Sequence, residues 1–127
     1  MTSLAASRYR KNVLQDSIVA MFKAIDTGDW SALRRFYSDD CVYERPGFQA
    51  VSGLEALVHF YESVRPIRAG IHSLEHVVEE KDCVTASGRF EGTLRTGAAI
   101  QLEFMDLYIF DREKIRFRKT FFYTRLA

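Results

Sequence analysis

The sequence predicts an α+β fold, with three helices in the N-terminal half and a mainly antiparallel sheet after them. Three observations carry this. Apolar residues recur at helical spacing before Pro66, four β-rich runs separated by short polar turns follow it, and strands do not alternate with helices. A length of 127 residues without internal repeats or linkers sets one domain over 1–127.

The first helix is expected from Ala6 to Asp26. Val13, Leu14, Ile18, Met21, Phe22 and Ile25 form one apolar stripe, Lys23 lies near the C-terminus and Gly28 supplies the cap. A short second helix starts at Asp29-Trp30-Ser31, with Asp29 as N-cap, and ends near Phe36 or Tyr37. Cys41–Glu44 is a brief strand, turned away by Arg45-Pro46-Gly47. Ser52 and Glu55 then read as a capping box for a third helix, whose apolar face is Leu57, Val58, Phe60, Tyr61 and Val64. The runs Ile71–Glu79, Val84–Leu94, Ala99–Phe110 and Lys114–Thr124 are the long strands.

Composition narrows the function classes. With 18 basic and 17 acidic residues the chain has no excess of cations to displace counterions from nucleic acid, so none is expected as a partner. No run approaches the ~20 apolar residues of a membrane helix, and Met1–Asn12 shows no signal segment, so the expected location is cytoplasmic, away from membranes. Cys41 and Cys83 fit no metal spacing and read as reduced thiols. The last strands carry apolar residues on both faces: Leu102, Phe104 and Tyr108 on one, Met105, Leu107 and Ile109 on the other. The second face needs cover, and a homodimer supplies it.

Three segments together resemble the nuclear transport factor 2-like superfamily, in its ketosteroid isomerase and SnoaL-like branches. They are Ile25–Trp30 with Phe36–Tyr43, Ser52–Glu55 with His59-Phe60-Tyr61, and Met105–Asp111 with Lys114-Ile115. The resemblance implies a cone: helices in the curve of a strongly bent sheet, with one ligand-sized pocket between them and frequent dimerisation. It also argues against steroid isomerisation. The positions of the isomerase base and of its helix tyrosine are here Arg45 and Met21, and only the oxyanion aspartate has a match, Asp106. An arginine cannot serve as that base.

Strand alternation groups Lys119, Phe121 and Tyr123, then Arg89, Glu91 and Thr93, then Phe104, Asp106 and Tyr108. The resemblance turns all three sets toward the pocket, with Phe60 closing the helical side. On that reading Asp106 is the catalytic acid/base, and Arg45, Tyr43, Phe60, Arg89, Glu91, Tyr108, Lys119 and Tyr123 bind substrate, a small oxygenated molecule. Isomerase, cyclase or dehydratase chemistry without a cofactor is expected, and a non-catalytic binding domain is the alternative. Glu91 could also supply a second carboxylate for an epoxide hydrolase arrangement. Glu44 and Glu103 fall on the outward alternation. His59 reads as a rim or surface residue. His72 and His76, four apart on a strand, share a face that reads as exposed, with no third ligand to suggest a metal.

Overall fold

The structure is a computed structural model that describes residues 2–123, with side chains from Val13 onward. Thr124, the expected end of the last strand, lies outside the described residues, as do the side chains of Met1–Asn12. Helix α1 (Thr2–Asp26) buries Ile18, Met21, Phe22 and Ile25 along its stripe and packs chiefly on strand β3 (Ile67–Glu80). It ends at Gly28, whose φ of +73° suits a residue without a side chain.

A short 3-10 helix (Trp30–Arg35) follows. Asp29 caps it through its backbone carbonyl, which accepts Ala32 N–H, while its side chain accepts the Ser31 hydroxyl instead. Strand β1 (Tyr37–Glu44) starts four residues before the expected Cys41, and the two-residue β2 (Val51–Ser52) pairs with it. Helix α2 (Leu54–His59) widens into a π-turn over Phe60–Val64, and Pro66 lies just beyond. The expected capping box does not form. Gly53 N–H donates to the Cys41 carbonyl, which holds Ser52 in β2, and Glu55 pairs with Arg34 across the surface. The buried face of this helix stops at Tyr61, since Val64 is exposed.

Strands β4 (Cys83–Leu94), β5 (Ala99–Asp111) and β6 (Lys114–Phe122) complete a curved six-stranded sheet in the order β2-β1-β6-β5-β4-β3. Among the described residues, only the β1–β6 pairing is parallel. The helices fill the concave side, and the core lies between them and residues such as Val84, Ala86, Phe90, Phe104, Tyr108 and Ile115.

Besides an offset at Arg68, which turns Ile67 inward, three one-residue offsets decide which of the expected site residues face that core. The β4–β5 connection is a three-residue loop, Arg95-Thr96-Gly97: Leu94 N–H bonds to the Ala98 carbonyl, and Gly97 has φ +95°. In the β5–β6 hairpin Phe110 pairs with Ile115 but Ile109 pairs with Phe117, so Arg116 is an extra residue. In β3, Leu74 pairs with Gly88 and His76 with Ser87, so Glu75 is extra. Each offset exchanges the two faces of the strand beyond it.

Candidate functional site

Asp106 lies in mid-β5, fully buried, and three side chains donate to it. Thr120 Oγ1 reaches Oδ1 at 2.6 Å, while Tyr108 Oη and Arg118 Nη2 reach Oδ2 at 2.6 and 2.9 Å. Strand register explains the cluster, because Asp106 pairs with Thr120 and Tyr108 with Arg118. The single Thr120 proton goes to Asp106, so in the 2.8 Å bond between Tyr43 and Thr120 the tyrosine donates. Arg118 Nη1 donates to Tyr61 Oη at 2.7 Å and to Tyr37 Oη at 3.1 Å, and Tyr37 gives its proton to Met21 Sδ at 3.1 Å. The position expected to correspond to the isomerase tyrosine is therefore a sulfur acceptor. Tyr61 keeps its own proton without an acceptor among the described residues.

Burial pushes the Tyr43 hydroxyl up to about 12, although the Arg118 charge pulls the other way. Burial raises Tyr37 and Tyr108 well above the ordinary phenol value too, again against Arg118. The three phenols are hence neutral donors near pH 7. Burial disfavours the Arg118 charge, but Asp106 and the surrounding tyrosines more than offset this and leave its pKa raised. Its guanidinium also lies 4.5 Å from the centre of the Tyr43 ring.

The cluster borders a small cavity that also touches Arg45, Arg65, His72, Phe90, Phe104 and Phe122. Its volume is about 30 Å³, room for water and well short of the ligand-sized pocket expected. Arginine side chains form much of its polar lining. Arg45 lies 5.4–5.7 Å from the ring centres of Phe48, Phe60 and Phe122, and Arg65 lies 4.9 Å from Tyr61 and 5.2 Å from Trp30. Beyond Arg45 and Thr120, which border both spaces, an outer hollow of about 380 Å³ opens beside Pro46, Phe48 and Phe121.

The imidazole of His72 is half-buried in the same wall, against Phe22, Phe90 and Phe104. Asp26, at the end of α1, accepts its Nδ1–H at 2.6 Å and its backbone N–H at 2.9 Å. That fixes the neutral tautomer with the lone pair on Nε2, for which no partner exists among the described residues. Burial lowers the His72 pKa from its ordinary 6.5, more than the Asp26 hydrogen bond raises it.

Of the residues expected to line the pocket, Tyr43, Arg45 and Asp106 do so. Tyr108 reaches the cavity's edge through Asp106, and Phe60 packs on Tyr43 and beneath Arg45. Arg89, Glu91, Lys119 and Tyr123 do not. Arg89 and Glu91 are exposed on the outer face because the three-residue loop pairs Phe104 with Gly88 and Leu102 with Phe90. Lys119 and Tyr123, with Phe121, face outward because Arg116 shifts the register, and Arg118, Thr120 and Phe122 take the inner positions. Lys119 approaches Glu44 at 3.8 Å and Arg89 approaches Glu75 at 3.8 Å. With Glu91 outside, Asp106 is the only carboxylate among the described residues of the cavity wall. The expectation for the histidines fails in the same way: the Glu75 bulge leaves His72 inward and His76 exposed. His59 is exposed.

A model of the SnoaL-like domain family matches residues 18–117. The chain belongs to the SnoaL-like domain family. No curated protein is a match. Solved structures agree with the fold of this SnoaL-like domain at low identity. One named as a SnoaL-like polyketide cyclase, from Jannaschia sp. CCS1, is 15% identical with TM-score 0.77, over 88% of this chain and 86% of its own. An LEH-like epoxide hydrolase of M. tuberculosis is 14% identical with TM-score 0.79, over 90% and 85%. An NTF2-like protein of unknown function from Burkholderia pseudomallei is 13% identical with TM-score 0.80, over 87% and 91%. The superfamily and cone fold expected from the sequence are thus established.

Proposed function

We propose that this SnoaL-like domain performs acid/base chemistry, without a cofactor, on a small oxygenated molecule in the cone. The observation that carries this reading is His72, oriented by Asp26 and set in the wall of a cavity that also presents the free Tyr61 proton. His72 Nε2 takes a proton from carbon next to a carbonyl, and the electron pair moves onto the carbonyl oxygen. Tyr61 and the neighbouring guanidinium N–H groups stabilise that enolate. The imidazolium then returns its proton to a different carbon, which isomerises the molecule, or to oxygen after ring closure. Asp106 is a positioning residue here: its three protein donors tie it to Arg118, which orients Tyr61.

Proton abstraction can be read before the substrate is known. In D2O, wild-type protein is expected to speed loss of the α-proton NMR signals of small carbonyl compounds such as pyruvate and hydroxyacetone. His72→Asn should lower that rate by about 10²-fold or more. The rate should also fall as pH drops through the His72 pKa, below 6.5, since only neutral imidazole accepts the proton. An H72N rate equal to wild type would overturn the assignment. The commitment of Asp106 to three protein donors favours a second reading, a binding domain without turnover, and absence of exchange across the panel would select it.

We also propose a homodimer through the outer sheet face, where Ile71, Val78, Met105, Phe121 and Tyr123 are exposed. Light scattering should give twice the 14.7 kDa chain mass, and Met105→Lys should return one copy. A wild-type monomer at micromolar concentration would exclude this pairing. The free Cys41 and Cys83 support the cytoplasmic location we propose; burial pushes the Cys41 thiol up to about 11, where it stays unreactive.

A further inference from the structure

We infer that the substrate of this cavity carries an anionic oxygen group, a carboxylate or an enolate, bound by Arg65 and Arg45 beside Arg118. The inference rests on the proposed function in placing the substrate here, and it adds the substrate's charge and the residues that read it. Three guanidinium groups, those of Arg45, Arg65 and Arg118, share the wall with one carboxylate, Asp106, so three positive charges face one negative. Asp106 is already committed to Arg118. Neither Arg45 nor Arg65 has a carboxylate partner among the described residues. The Nε atoms of all three arginines are buried and have no hydrogen-bond partner among the described residues.

Buried cations are stable only when paired, and an unmade bond from a charged donor is among the costlier defects in a fold. Arg65 is the sharpest case, being 3% exposed with the rings of Trp30 and Tyr61 against its guanidinium. Its position follows from the chain. Arg65 has extended backbone, as the residue before Pro66 requires, and its carbonyl accepts Arg95 Nε at 2.8 Å. Burial lowers the Arg65 pKa; Tyr61 and Tyr43 raise it, while the nearby Arg45 and Arg118 charges add to the lowering.

A planar anion answers both deficits, because a carboxylate accepts two parallel N–H bonds from a guanidinium. Arg45, half-buried between the inner cavity and the outer hollow, is the group that must turn to admit a ligand larger than water. It then closes over the ligand as a second cation. A neutral isostere of the same shape gains none of this.

The test is binding by wild-type protein in chloride-free buffer, read on the arginine Nε–H NMR signals. The probes are acetate and benzoate, with acetamide and benzamide as neutral isosteres. The carboxylates are expected to shift the Arg45, Arg65 and Arg118 signals saturably, and the amides are not. Arg65→Gln and, separately, Arg45→Gln should each weaken benzoate by about tenfold or more. Should R65Q not fold, R45Q, at the half-buried position, decides the point. Equal shifts with the amides, no shift with either carboxylate, or unchanged affinity in the folded variants overturns the inference. Carboxylate binding without α-proton exchange removes the acid/base reading and keeps the anion site. Exchange on hydroxyacetone without carboxylate binding does the reverse.

Discussion

Replacing Asp106 by alanine is expected to destabilise the protein by about 3–5 kcal/mol, measured by urea unfolding. The loss comes from what stays behind. Arg118 would remain 3% exposed with its charge uncompensated, and the hydroxyls of Tyr108 and Thr120 would lose their acceptor. Removing the pair together should cost far less: Asp106→Leu with Arg118→Met replaces two buried charges by apolar volume. The double variant should therefore lie well above the sum of the two single changes. A D106A protein within about 1 kcal/mol of wild type would show that the ion pair contributes little beyond its own desolvation.

Gly88→Ala is expected to be the most damaging of the small substitutions, costing about 3 kcal/mol, the upper part of the range for overpacking. A methyl group there would lie 2.1 Å from the Ser73 carbonyl oxygen and 3.0 Å from Leu74 Cα. Both are backbone atoms, so no side-chain rotation relieves the clash. Gly88 pairs with Leu74 beside the bulge, which lets β3 and β4 approach closely just where the facing of β3 changes. The variant should lower the thermal midpoint and also move the His72 ring resonances, two residues away. A thermal midpoint within error of wild type would mean that β3 can retreat from β4 without loss.

These two positions show what the sequence could and could not disclose. Helix stripes, strand runs and turn residues were legible because each is a local pattern: Ile18, Met21, Phe22 and Ile25 had to share a face once the helix formed. Asp106, Tyr108 and Phe104 were placed correctly on the inner face of β5. The neighbouring strands were not, because their facing depends on counting residues across a turn. A three-residue loop at Arg95-Thr96-Gly97 and one extra residue at Arg116 each move the count by one. Lys119 and Arg118 are adjacent in sequence, and nothing local says which of them is buried. Turn pairing offered a usable signal at Gly97, the glycine that closes a three-residue hairpin loop. The Asp26–His72 pair was invisible for another reason: it joins residues 46 positions apart through a helix-to-strand contact.

The hydroxyl protons around Asp106 have a fixed order, and that order makes the site electrically stiff. Tyr43 gives to Thr120, Thr120 and Tyr108 give to Asp106, and Tyr37 gives to Met21, so no hydroxyl can turn round without breaking a bond. Water near a forming charge must reorient, and that reorientation is a large part of a reaction barrier in solution. Here the dipoles are set during folding, and a charge appearing beside Tyr61 meets a field that is already aligned. The same stiffness limits adaptation. A ligand whose charge fell elsewhere in the cavity would find these dipoles unable to follow it.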